Sequence, residues 1–506
     1  MKDRNIKIVL AAIFLLVLGM RLYYTFQTPY FTGSDAYFTI EQVEHILEKG
    51  YPNYYDELSY SGRQHIFMPL FHYILAFFSL LAPIGYVAKV LPNIFASSIV
   101  FMTYLAAREI VKSKRSALIA AFVSGFIPIY TKETINSISV YSLSVPLMFY
   151  LLYCFLRIDQ EKYLKHYLIG LVGLSLISSS VIIFVLGLIT YYILLKIERL
   201  QETKAEREVL LFSIFFVLWL EFIVYKKALM EYGMGIVWQN IPQELLSNYF
   251  QEVTVLGAIF MIGSLPLLYG IYNIYINLTK ERNKKTYLII GMVAASALLL
   301  WLKFISVSLG LIFCGSFVAL LFSEFYMRSL LYLKKTKISK FRLYFVFSFI
   351  ILFTMSSVIP SFTQAKKSVD SALSADEIDA LNWIEENTDE DSTIIATAPE
   401  GILVNTISKR KNIIDSNFMM APEVKERFKD LKIIYTVFYP TIALEILAEY
   451  EADYIFFSPK TKETYKVDEF KAYENKNCFE KVYDDGVQIF EVKCRITETS
   501  RRIDDD

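Results

Sequence analysis

Histidine and cysteine are scarce in this chain, with four of each among 506 residues and no Cys-x-x-Cys or His-rich spacing. The sequence therefore gives no support for a thiolate or zinc-finger metal centre. Net charge is missing too: 51 Lys and Arg balance 51 Asp and Glu, so no overall basic bias argues for nucleic acid. The 36 Tyr and 40 Phe come without a basic groove. They fit interfacial belts better than platforms for stacked bases. What abounds is hydrophobicity, at 55% of residues. Apolar runs of about 18 or more residues, separated by short charged loops, mark a polytopic helical membrane protein.

The N-terminus reads as a signal anchor. Lys2, Arg4 and Lys7 precede an apolar run to about Phe26, and no small-residue cleavage site follows. Those cations predict a cytoplasmic N-terminus and an outside loop after the first span. The loop Lys112-Ser113-Lys114-Arg115 is predicted cytoplasmic again. Of the two apolar stretches between them, 67–85 reads as an interfacial helix and 89–111 as a span. Further spans fall near 116–131, 138–156, 166–179, 181–197, 209–225, 253–278, 286–303, 306–328 and 342–360. Eleven crossings result. The expected architecture is a transmembrane domain over 1–365, including a first extracytoplasmic loop with an interfacial helix at 27–88. An extracytoplasmic α/β domain over 370–496 and a polar tail at 497–506 complete it.

In that C-terminal region Ser374-Ala375-Asp376-Glu377, followed by Ile378, Leu381 and Ile384, predicts a capped amphipathic helix. Strands are expected at 393–397 and 454–457, with a helix at 441–450 between them and a hairpin turning at Asp484-Asp485-Gly486. Alternating helices and strands suggest an α/β domain. Cys478 and Cys494 flank the hairpin and can be bridged if the domain is outside, although a two-residue turn register puts them on opposite faces. Cys154 and Cys314 lie inside apolar runs and read as small core residues.

The candidate chemistry sits in polar loops. Asp35 follows the first span by a few residues, which places its carboxylate near the lipid headgroups, where an acid can hold a metal or accept a proton. A solvated loop acid is the plainer reading. Lys303 stands where a span should emerge outside; it reads either as a snorkelling lysine or as a clamp on phosphate. Glu133 and Asn136 lie in one outside loop, Gln239 and Glu244 in another. His65 and His72 flank the entry to the interfacial helix and read as packed side chains.

Several elements in order resemble the catalytic subunit of oligosaccharyltransferase, within the C-type superfamily of integral-membrane glycosyltransferases. These are Asp35-Ala36-Tyr37-Phe38, the run Gly50 to Asp56, Gly62-Arg63, Pro128-Ile129-Tyr130, Trp238-Gln239-Asn240-Ile241-Pro242 to Asn248-Tyr249-Phe250, Lys303-Phe304, Asn382-Trp383-Ile384-Glu385-Glu386-Asn387-Thr388 and Lys409-Arg410-Lys411 to Asp415-Ser416-Asn417. The resemblance implies transfer of a sugar or oligosaccharide from a polyprenyl (dolichyl) phosphate or pyrophosphate to an acceptor, a protein or a glycolipid, at the outer face of a plasma membrane, in archaeal style. It implies Asp35 as metal ligand or base, and Lys303, Arg63, Gln239 and Glu244 around the donor. Departures accompany it. Where the family has paired acids, this chain has Asn136-Ser137-Ile138-Ser139; where it has a later glutamate, Gln239. The acceptor motif falls on Thr397-Ala398-Pro399-Glu400-Gly401, leaving Glu400 and Gly401 as the acceptor region. An implied Mg2+ or Mn2+ would rest on Asp35, Asn136, Ser139 and Glu133, and neutral oxygens hold such ions poorly. Two rivals follow: a mannosyltransferase-like, metal-independent enzyme of the same fold, and a non-catalytic scaffold that binds the lipid carrier.

Overall fold

The computed structural model describes residues 3–60, 62–111, 113–238, 241, 253–325, 328–329, 332–333, 342–474 and 476–495. The chain divides into two compact units. The first comprises Met1–Pro29, Phe67–Lys227 and Ser247–Ser371; the second comprises Tyr30–Ile66, Ala228–Leu246 and Ala372–Asp506. The residues that follow the first span thus group with the C-terminal region.

In chain order the first helices are α1 (Asp3–Thr25), α2 (Ser34–Lys49), α3 (Leu70–Ser79), α4 (Ile84–Ser97), α5 (Ile99–Val111), α6 (Lys114–Ser124) and α7 (Pro128–Thr134). Among the described residues six helices are long and apolar enough to cross a membrane: α1, Ile84–Val111, Lys204–Tyr232, Lys284–Trp301, Val307–Glu324 and Val346–Asp370. A seventh is the pair Val255–Ile262 and Ser264–Glu281 if its bend of 94° is one broken span. This makes the chain an integral membrane protein with six or seven candidate spans, against the eleven expected.

The difference has local causes. The run 116–131 breaks into α6 and α7 because Pro128 opens a new helix and holds Ile127 extended, at ψ 113°. Tyr141–Phe155 and Val181–Ile197 are helices of 15 and 17 residues. At about 1.5 Å per residue they fall short of the roughly 30 Å hydrocarbon core. The bend at 263 needs glycine: Gly263 has φ +99°, and a Cβ there would lie 2.6 Å from Ser357 Oγ. The first unit's core is built from Phe149, Phe313, Phe317, Phe322 and their neighbours, all buried.

In the second unit a small antiparallel ribbon pairs β1 (Tyr55–Asp56) with β2 (Arg63–Gln64). The larger sheet holds β3 (Thr393–Ile395), β4 (Lys411–Asn412), β5 (Tyr454–Phe457), β6 (Phe479–Asp485) and β7 (Val487–Val492) in the order β4-β3-β5-β7-β6. The β4-β3-β5 pairs are parallel and the β5-β7-β6 pairs antiparallel. The helix Ala375–Asn387 carries the expected capping box between Ser374 and Glu377, and the helix Pro440–Glu449 lies where the periodicity placed it. Phe457, Tyr435, Phe470 and Phe490 pack one face of the sheet; Ile384, Ile394, Phe456 and Ile489 pack the other. Each such fully buried side chain contributes about 1.5–3 kcal/mol.

Cys478 and Cys494 are joined by a disulfide. The register argument against it fails because both cysteines lie beyond the ends of β6 and β7, where the pleat no longer assigns a face.

Candidate functional site

In the second unit, Asp35 occupies the first turn of α2. Its residue surface is exposed, yet crowding by the surrounding chain, followed by the Asp415 carboxylate, pushes its carboxyl above the usual range. Further along α2, burial and then the Asp56 carboxylate push Glu41 up to about 8, against the opposing pull of Lys409. Asp56 is itself held below the ordinary value although burial opposes this. The hydrogen bond and charge of His65 and the Leu58 N–H, 2.9 Å away, outweigh it.

Arg63, expected near the donor, is buried and fully engaged within this unit. Its Nη2 donates to both carboxylate oxygens of Asp415, at 2.9 and 2.8 Å, and its Nε donates to Ser59 Oγ at 2.6 Å. Nη1 donates to the carbonyls of Asn417 and Met419. The Tyr60 ring lies 5.1 Å from the guanidinium, and its hydroxyl donates to Asp415 O at 2.8 Å. A charge-assisted pair of this kind, with every other guanidinium donor also engaged, is a strong one, and it locks β2 to the segment after β4.

Glu400, expected at the acceptor, is 1% exposed. It closes a capping box with Thr397 and accepts from the hydroxyls of Thr397 and Ser458. Burial raises its carboxyl despite those donors. Gly401 meets a spatial demand, since a Cβ would stand 1.9 Å from Ile414 O. Gln239 and Glu244 lie outside the described residues.

In the first unit a polar cluster gathers on α7 and the residues that follow it. Glu133 accepts from Ser308 Oγ at 2.9 Å and from Lys132 at 3.1 Å. Ser308 lies in the helix Val307–Leu321, five residues after Lys303, so the structure brings Glu133 to the chain segment that carries the expected clamp. Lys303 is exposed, with φ +56°. Its N–H donates to Leu300 O at 3.1 Å and Phe304 N–H to Leu299 O at 2.9 Å. That is a Schellman helix end with lysine in the position that favours glycine. Asn136 is buried with φ +54°. Ser139 accepts from Tyr141 N–H at 3.3 Å.

Three residues of this cluster escaped the sequence reading. Arg21, in the last turns of α1, is 1% exposed, and its Nε donates to Asn93 Oδ1 at 3.0 Å while Nη2 reaches Thr134 Oγ1. Asn93 donates to Thr25 Oγ1 at 3.2 Å and to Lys89 O at 2.7 Å. Lys89 Nζ donates to Thr25 O at 2.9 Å, to Thr28 O and, at 3.5 Å, to Asn136 Oδ1. The signal that could have found them is their occurrence in apolar runs, where a polar or ionisable side chain is expensive.

Among the described residues no three His, Cys, Asp or Glu side chains converge on a metal position. Asn136, Ser139 and Glu133 offer one carboxylate already engaged, one hydroxyl and one amide oxygen that faces an ammonium. That donor set does not fit the divalent cation implied by the resemblance.

The candidate spans and C-terminal mixed sheet make a fold similar to that of solved membrane glycosyltransferases. Solved structures of that class resemble it over most of its length. The oligosaccharyltransferase AglB from Archaeoglobus fulgidus, in complex with an inhibitory peptide and a dolichol-phosphate, has a TM-score of 0.65 at 14% identity, covering 90% of this chain and 69% of that one. ArnT from Cupriavidus metallidurans, bound to undecaprenyl phosphate, has a TM-score of 0.54 at 11% identity over 97% of each chain. The arabinofuranosyltransferase AftD from Mycobacteria has a TM-score of 0.60 at 12% identity, covering 98% of this chain and 40% of that one. In sequence, dolichyl-phosphooligosaccharide-protein glycotransferase 2 of A. fulgidus is 33% identical over 108 residues, which is 20% of this chain and 18% of that protein. No family model matches the chain.

Proposed function

We propose that this protein transfers a sugar from a polyprenyl phosphate or pyrophosphate carrier to an acceptor, in the manner of an oligosaccharyltransferase, at the outer face of a cell membrane. The observation that carries the reading is the shared fold with AglB over 90% of this chain, joined to an acid in the first turn after the first span. AglB and ArnT are described with dolichol-phosphate and undecaprenyl phosphate bound, which supports a lipid-borne anionic donor here. The Cys478–Cys494 disulfide supports an oxidising, extracytoplasmic setting for the C-terminal region.

In this reading Asp35 takes the proton from the attacking acceptor group, a role that a raised carboxyl suits. Lys303 faces the phosphate; its left-handed backbone in a glycine position is strain that a functional side chain can justify. The donor role expected for Gln239 and Glu244 belongs to the same proposal, with the C-terminal domain presenting the acceptor. The engagement of Asn136 by Lys89 favours a second reading within the same fold, a mannosyltransferase-like enzyme that needs no metal.

The test is incubation of the purified protein with labelled polyprenyl-linked sugars and candidate acceptors. Transfer of label by the wild type, and its loss in a folded Asp35→Ala variant, is the expected result. Unchanged turnover would remove Asp35 from the mechanism, and binding of donor with no transfer would leave a carrier-binding scaffold.

A further inference from the structure

The divalent cation implied by the paired-acid pattern does not fit the residues of this chain, and the structure shows what stands there instead. Lys89 projects from α4 with 7% of its surface exposed. An ammonium has three N–H donors, and oxygens from two stretches of chain stand within reach of it: Thr25 O and Thr28 O at and just past the end of α1, and Asn136 Oδ1 at 3.5 Å. Thr25 is the last residue of α1, where unsatisfied carbonyls carry the negative end of the helix dipole. Main-chain carbonyls, an asparagine amide and a helix C-terminus are the ligand chemistry of a hard cation. Here the cation is covalently part of the chain.

We infer that Lys89 replaces a bound metal ion in this fold, tying the end of α1, the start of α4 and the 136–139 loop together without one. The substitution is reciprocal. An ammonium in that place repels a second cation, and the loop that would otherwise need carboxylates carries Asn136 and Ser139. Asn136 suits the role twice, since it presents a neutral acceptor and tolerates its φ of +54°. Arg21 adds a second buried positive charge nearby, joined to Lys89 through Asn93, which accepts from Arg21 and donates to Lys89 O. Lys89 is a positioning residue, because its Nζ donates to protein oxygens.

The inference rests on the proposed fold-class chemistry only for its location, so its test reads Mn2+ binding without any sugar transfer. The full-length protein is purified in lipid nanodiscs and titrated with Mn2+ by electron paramagnetic resonance. Any Mn2+ bound by the wild type should be unaffected by Asn136→Ala. The double variant Lys89→Met/Asn136→Asp should gain a new site, with affinity about 10-fold or more above the wild type. Asn136→Asp alone should gain none, since Lys89 then pairs with the new carboxylate. Loss of wild-type Mn2+ binding in Asn136→Ala overturns the inference, as does Mn2+ binding by Asn136→Asp alone. A monodisperse double variant that gains no site overturns it too. If the double variant does not fold, the two single variants still decide.

Discussion

Replacing Asp415 by alanine should release the chain segment that carries β1 and β2. Arg63 Nη2 donates to both oxygens of that carboxylate, at 2.9 and 2.8 Å, and both side chains are 1% exposed. Removing one partner of such a pair leaves a buried charge uncompensated, a loss of about 3–5 kcal/mol. The pair is the main charged link between residues 59–66 and the segment after β4, so the cost should fall on local opening of that region. At about 1.4 kcal/mol per tenfold change, amide protection across 55–66 should drop by roughly two to three orders of magnitude. Hydrogen-exchange mass spectrometry of the full-length protein in detergent reads this directly. A double replacement, Arg63→Met with Asp415→Leu, removes both charges and should recover most of the protection. Two results would refute the reasoning: a loss below about tenfold in Asp415→Ala, or a double variant no better protected than the single one. The second would show that hydrogen bonding to Ser59, Asn417 and Met419, rather than charge compensation, holds the segment.

Two further predictions follow from the buried acids. Glu41 has its carboxyl raised from 4.5 to about 8 by burial and the Asp56 carboxylate. Between those values the native state therefore binds a proton that the unfolded chain has lost, and stability should fall as pH rises through that window. Glu41→Gln should flatten the melting temperature against pH over that range; an unchanged slope would assign the titration to another group. Glu400→Ala leaves the Thr397 and Ser458 hydroxyls without their acceptor and should destabilise the protein by about 1–3 kcal/mol. Because the side chain is buried in a cap, sugar transfer per folded molecule should stay within about twofold, which radiolabel assays of the monodisperse fraction would check. A larger specific loss would support a place for Glu400 in the acceptor region.

Much of the local structure was legible from the chain alone. The capping box at Ser374 and Glu377, the hairpin at Asp484-Asp485-Gly486 and the helix near 441–450 each depend on neighbouring residues, and each is present. The spans legible as long apolar runs are the long helices. The run 116–131 was lost to a proline whose effect on the preceding residue outweighs hydropathy, while 138–156 and 181–197 gave helices of only 15 and 17 residues. The candidate site was less legible. Asp35 and Lys303 stood out by position after a span and at the end of one, which composition along the chain reveals. Lys89 and Arg21 were hidden because an isolated cation in an apolar run has no periodic signature.

By itself, the sequence determined that this is a multi-span membrane protein with an α/β region after the last span, because periodicity and hydropathy are local properties. Only the tertiary structure decided that Arg63 belongs to Asp415, 352 positions away, and that Lys89 reaches Asn136 across 47. Folding decided equally that Glu400 serves Ser458, 58 residues on. Each pairing depends on which polar groups are withdrawn from water together. A buried donor or acceptor must find a partner among whatever the folded chain brings beside it, and sequence order carries little of that information.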